Sequence, residues 1–298
     1  SVFVFMSIQQ QNAQLDNDIR TKRENANFLA ENLQDQVFIA YKSRIVSLAT
    51  TKQEVIDAFA RRDREALYQA ALPFYKTIKT ENPYFSLMHF HLPDNSSFLR
   101  MHLPELHSDD LVEIRPIIRE VNTLHKQRIG YEVGKMGLFY RVVQPMFAGE
   151  EYIGALEFGI SHKQLVTLLQ QHISPEIAIA VKTESWQKAT LVGGKRIEQG
   201  EYTFLPLQNG LFAKIAPTIL LEHAPDRFAV DGKTYILFSN IELRNFQKKP
   251  IAKILVALDI SQELANSKNF IIKVILLALF LLVLSSLFLY FSFGQLLN

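Results

Sequence analysis

Between residues 8 and 48 the apolar positions run from Leu15 and Ile19 through Ala26, Leu29, Leu33 and Val37 to Tyr41, Ile45 and Leu48, at spacings of three, four and seven. Asn, Gln, Asp, Arg and Lys fill the gaps, and neither Gly nor Pro intervenes. That is helix period, and it predicts a single rod of about 60 Å. Thr51 and Glu54 have the spacing of a capping box and predict a second helix carrying Val55, Ile56 and Phe59. A third follows through Leu67, Ala71, Phe74 and Ile78, and Asn82-Pro83 ends it.

The period then changes from helix to strand. Phe85–Leu92 and Ser97–His102 read as short strands around the turn-forming Pro93-Asp94-Asn95. Residues 109–126 return to helix period, with Asp109, Asp110 and Glu113 read as a solvated first turn and Pro116 as a kink or the true start. Three more strands are expected at Ile129–Val133, Leu138–Phe147 and Tyr152–Ile160, the last two joined by the turn Ala148-Gly149-Glu150-Glu151. Ser161–His172 is helical again. A second set of strands is expected at Glu176–Thr183, Gln199–Leu205, Gly210–Ile215, Arg227–Val230, Lys233–Glu242 and Ile251–Leu258, with Asp231-Gly232 as a hairpin turn. One antiparallel sheet flanked by helices, occurring twice, is an α+β arrangement.

The ends differ from the middle. Val274–Phe293 is a run of 20 residues without a charge. At 1.5 Å per residue it spans about 30 Å, the thickness of a bilayer's hydrocarbon core. Lys268 and Lys273 flank it on one side and Tyr290 lies near the other interface. The apolar stretch Ser1–Ile8 reads as the last turns of an earlier membrane helix, with a signal-peptide remnant as the rival reading.

Composition narrows the functions. With 32 Lys and Arg against 30 Asp and Glu, the chain has no global basic field, and no cationic stripe with interleaved aromatics suggests nucleic acid as a partner. The absence of Cys excludes disulfides, thiolate metal sites and cysteine nucleophiles. No nucleophile or zinc-protease motif occurs, and the glycines at 130, 134 and 137 lack the strand–loop–helix context of a dinucleotide fingerprint. Catalysis and a resident cofactor are therefore not expected.

Three stretches resemble the double Cache sensors of bacterial chemoreceptors, histidine kinases and diguanylate cyclases. They are Phe85–Asp94 with Ser97–His102, Gly130–Pro145, and Tyr152–Gly159. The resemblance implies two PAS-like antiparallel-sheet subdomains behind a long N-terminal helix, flanked by transmembrane helices. On that reading residues 1–8 end the first membrane helix and 9–80 form the long helix and helical lead-in. Residues 81–175 form the membrane-distal Cache subdomain, 176–262 the membrane-proximal one, 263–270 a linking helix, and 271–293 the second membrane helix. The resemblance also implies a periplasmic sensor in the bacterial inner membrane, a homodimer, and a cytoplasmic output domain beyond the second membrane helix.

Strand alternation selects the candidate ligand contacts. Phe98, Arg100 and His102 would share one face of their strand, and His89 and His91 one face of the neighbouring strand. Paired as a hairpin, they converge. A planar guanidinium in such a place suits a carboxylate or phosphate, so Arg100 points to a small anionic or zwitterionic ligand; a structural pair with Glu132 or Glu157 is the alternative. Tyr131 and Tyr140 are candidate pocket walls, Arg141 lies on the face opposite Tyr140, and Glu157, inside an apolar strand, needs a cation or a ligand amine. A metal centre from His89, His91 and His102 is chemically open, because a His-x-His pair on a strand can ligate, but none is assigned. The expected function is a small-molecule sensor that signals through the second membrane helix; the alternative is the same fold reading a periplasmic protein partner.

Overall fold

The computed structural model describes residues 2–173, 175–193, 197–205, 210–215 and 227–296. The elements in chain order are α1 (Val2–Thr51), α2 (Gln53–Ala60), α3 (Arg64–Glu81), β1 (Phe85–His91), β2 (Ser97–Arg100), α4 (Pro116–Leu124), β3 (Arg128–Gly134), β4 (Gly137–Ala148), β5 (Glu151–Ser161) and α5 (Lys163–Ile173). They continue with β6 (Glu176–Lys182), α6 (Thr183–Trp186), β7 (Ile197–Gln199), β8 (Tyr202–Phe204), α7 (Leu211–Ile215), β9 (Arg227–Val230), β10 (Lys233–Arg244), β11 (Pro250–Asp259) and α8 (Ser261–Leu296). The chain is α+β and divides into two compact units, one of residues 28–224 and 239–256, the other of 1–27, 225–238 and 257–298.

The first unit is built on a five-stranded antiparallel sheet in the order β2-β1-β5-β4-β3. One face is an aromatic core: Phe59 packs on Phe90 and Phe98, while Phe85 and Phe158 meet edge to face at 5.1 Å. The other carries α4, whose Ile117, Ile118 and Val121 pack on Val143 and Ala155. The same unit holds β6, β7 and β8, with β8 between its two partners. Trp186 is buried.

Three expectations need correction here. Residues 109–115 are not helical. Ser97 N donates to Asp109 O and Ser108 N to Ser97 O, so residues 108–110 lie along β2, and α4 begins at Pro116. A proline at the first helical position loses no bond there, whereas inside a helix it would. The Thr51 capping box does not form, because its hydroxyl donates to Ser47 O within α1 and Lys52 stands at the cap. Asp63 caps α3 instead, accepting from Ala66 N at 3.0 Å. Finally, Leu211–Ile215 is a short helix, not a strand; Leu211, Phe212 and Ile215 bury together at helical spacing.

In the second unit β9 pairs antiparallel with the start of β10, and both residues of the Asp231-Gly232 turn have positive φ, as a tight hairpin of the primed type requires. Asp259 accepts from Ser261 N at the start of α8 and pairs with Lys233 at 2.9 Å. Lys22 of α1 pairs with Glu263 of α8, and Arg227 with Asp16. From Ser261 to Phe293, α8 is long and apolar enough to cross a membrane, and its most apolar stretch is not buried against protein.

Candidate functional site

The β1–β2 register sets Arg100 opposite His89, and the β1–β5 register sets Glu157 opposite His89 on the other side. Arg141 on β4 pairs with Gly159, one diagonal step from Glu157. Four strands therefore bring basic and acidic side chains onto the face that α4 covers. Arg115, immediately before α4, completes the group: Nε donates to Glu132 Oε2 at 2.6 Å and Nη2 to Glu157 Oε1. Arg141 Nη1 donates to that same Glu157 oxygen. Glu132 also accepts from Ile117 N at 3.2 Å, capping the helix that Arg115 precedes.

All four charges are buried, and two guanidiniums balance two carboxylates. Burial alone would raise the Glu157 carboxyl, but Arg115 and Arg141 outweigh it and hold Glu157 well below the usual range. Burial lowers His89 far below an ordinary histidine and brings His91 to about 4, despite the bond from His91 Nε2 to Glu157 Oε2. Both imidazoles are thus neutral at pH 7.

Beside this cluster opens a cavity of about 400 Å³. Leu87, Leu103, Leu106, Leu111, Ile114 and Met136 give it an apolar wall. His89, Arg100, His102, Arg115, Lys135 and Arg141 give it a basic one, and Asp109 is the carboxylate that lines it. Arg100 does not reach Glu132 or Glu157. It grips Asp109 with both prongs, at 2.8 and 2.9 Å, and Lys135 reaches Asp109 at 3.1 Å.

Residues 24–264 match the family described as the double sensory domain of two-component sensor kinase. The chain belongs to this double Cache family. Solved structures share the fold. The Vibrio cholerae LuxQ periplasmic domain aligns at a TM-score of 0.50 with 14% identity, over 79% of this chain and 97% of that one. The V. cholerae histidine kinase DctB sensor domain aligns at 0.50 with 10% identity, over 83% and 98%. The ligand-binding domain of the Campylobacter jejuni chemoreceptor Tlp3, in complex with 4-methylisoleucine, also aligns at 0.50 with 10% identity, over 88% and 96%. No curated protein matches the sequence.

Within this double Cache sheet the candidate residues divide. Arg100, His102, His89 and Arg141 line the cavity, while Glu157 and His91 lie buried beneath it. Phe98 does not share their face. The β1–β2 pairing shifts between Phe90 and His91, so that His91 faces Ser97 and Phe90 faces Leu99; Phe98 is the extra residue of this bulge and packs on Phe59. Tyr131 and Tyr140, edge to face at 5.3 Å, sit by alternation on the side opposite Arg141, where Tyr140 lies in the field of Asp35 of α1. Sequence reasoning missed Arg115, Asp109 and Lys135. The bond of the 108–110 backbone to β2 brings Asp109 to Arg100, and no side-chain pattern signals that pairing.

Proposed function

We propose that the chain is the periplasmic sensor region of an inner-membrane receptor that binds a small molecule carrying one anionic group and an apolar body. The cavity carries this reading. It is of the size typical for small-molecule sites, and its charged lining of four cations faces a single carboxylate. Arg115 and Arg141 are neutralised by Glu132 and Glu157 behind the wall, so Arg100, Lys135 and Asp109 leave a surplus of one positive charge. The leucines and Ile114 opposite fit the apolar body. Tlp3 in complex with 4-methylisoleucine is an instance of this fold holding a small molecule.

The cavity falls within residues 81–175, extended by Thr190 and Leu191 at its rim, which supports reading 81–175 as the membrane-distal sensing subdomain, with 176–262 as the proximal one. The signal would leave through α8, which starts as the linking helix and continues without a break into the apolar span. A homodimer along α1 is the assembly such a long helix suits. A ligand transmits only by favouring one of two arrangements over the other, and the roof residues 101–115 are the part of the pocket best placed to differ between them.

The test is a thermal-shift screen of the full chain in detergent against small monocarboxylates and phosphomonoesters with graded apolar substituents, beside their neutral amides and alcohols. An anion should raise the midpoint with concentration, the neutral analogue should not, and Arg100→Ala should lose the response. Silence from a folded protein across the whole set would overturn the small-molecule reading and favour a periplasmic protein as the input.

A further inference from the structure

His89 and His91 stand one residue apart on β1, so alternation puts both rings on the cavity side of the sheet; their centres are 3.8 Å apart. Both converge on one oxygen of Glu157. His91 Nε2 is 2.8 Å from Oε2, and His89 Nδ1 is 3.7 Å from the same atom. Ligand atoms from the three residues fit within 4.8 Å of one another, and all three residues are buried. A tetrahedral site with bonds of about 2.0–2.2 Å sets its donors roughly 3.3 Å apart. Side-chain shifts on the order of an ångström would close this tripod.

The carboxylate is already divided between two tasks. Oε1 takes both guanidiniums, which fix its plane, and Oε2 is left to the imidazoles. His89 Nε2 lies 2.8 Å from Ser97 Oγ. With that nitrogen donating to the hydroxyl, the lone pair of Nδ1 points at a carboxylate lone pair. Two acceptors so placed are satisfied by a cation between them, and a polar outer partner that fixes the ring is what metal-binding histidines use. His91 Nδ1 has no hydrogen-bond partner.

We propose that His89, His91 and Glu157 form a three-ligand site for a borderline divalent cation of the zinc type, with the fourth coordination position opening toward the cavity that His89 lines. Two imidazoles and one carboxylate suit Zn²⁺, Co²⁺ or Ni²⁺ and are too few oxygens for Ca²⁺ or Mg²⁺. The third ligand is Glu157 and not His102. The surrounding charges cancel, so the ion brings two positive charges of its own, and an anionic donor from the cavity would complete its coordination and offset part of that charge. Metal binding itself does not depend on the cavity's organic ligand, and cobalt alone tests it.

The full chain in detergent, stripped with a chelator, is titrated with Co²⁺ and read by visible absorption. The expected result is the intense d–d spectrum of low-coordinate cobalt at one ion per chain, displaced by Zn²⁺. His91→Gln and His89→Gln should abolish it while circular dichroism shows the fold retained. Ser97→Ala keeps every ligand and should weaken binding about 10- to 100-fold, which decides the matter even where a ligand variant does not fold. A weak octahedral spectrum from the wild type, a full signal in folded His91→Gln, or unchanged affinity in Ser97→Ala would overturn the site.

Discussion

Arg100 and Asp109 meet as a two-pronged ion pair that joins edge strand β2 to the roof of the cavity. Burial raises the Asp109 carboxyl, but the bonds from Arg100 and Lys135 outweigh it and bring it down to about 2. A carboxylate lowered on folding stabilises the native state above its unfolded value of about 4, and that contribution is lost as the pH falls from there toward 2. Because solvent reaches 32% of the Asp109 side chain, screening keeps the gain modest. Asp109→Asn should cost about 1 kcal/mol at pH 7 and flatten the acid limb of stability, as read by urea unfolding at stepped pH.

Glu157 is the most consequential single charge. Replacing it with Gln leaves Arg115 and Arg141 facing each other in a buried space with Glu132 as the remaining counter-charge. Removing one partner from a buried ionic group costs about 3–5 kcal/mol. Urea unfolding of Glu157→Gln should show a loss of that size with an unchanged m-value; a loss within about 1 kcal/mol would mean that the cluster is solvated.

His91 makes a prediction of opposite chemical type. Folding holds it neutral by burial, at about 4 against an unfolded value of about 6.5, so the unfolded chain binds the extra proton. Stability is therefore complete above the unfolded value and falls by roughly 1 kcal/mol per pH unit as the pH drops between the two. Glu157, Arg115, Arg100 and His89 act on this ring, and the sign holds because desolvation is the largest cause. His91→Gln should remove its share of that slope, leaving the shares of His89 and His102, which burial lowers too, and the slope that Asp109 adds at lower pH.

Gly154 lies on β5 at φ +132°, and a Cβ there would run into His91 O and the Phe59 ring. Gly154→Ala meets both backbone strain and a clash with main chain, so it should cost at least about 2 kcal/mol. Gly149, at φ +63° with open space around it, separates the two effects; Gly149→Ala should cost about 1 kcal/mol from strain alone.

The fold was legible wherever periodicity ran long enough. The stripe from Leu15 to Leu48 lies in one helix, Ala148–Glu151 is a hairpin turn, and the uncharged run at Val274–Phe293 lies in a helix long and apolar enough to cross a membrane. Failures came where tertiary bonds overrode local pattern. Asp109, Asp110 and Glu113 resemble a helix start, yet the backbone of 108–110 bonds to β2. The bulge at Phe98 breaks alternation by one residue, and no spacing rule marks it. Arg100, selected by strand alternation, lines the cavity, but its partner Asp109, nine positions away through a loop, carries no sequence signal. Arg115, one residue before a proline, gave no sign that it would bridge two buried carboxylates.

On the proposed reading, this sensor takes its input in the cavity under residues 101–115. Hydrogen exchange of the full chain, with and without the anion that gives the largest thermal shift, tests it most directly. Slowed exchange is expected in residues 101–115 and around Lys135 and Met136, with a smaller change along α8. Protection confined to regions remote from the cavity, with residues 101–115 unchanged at saturating ligand, would contradict it.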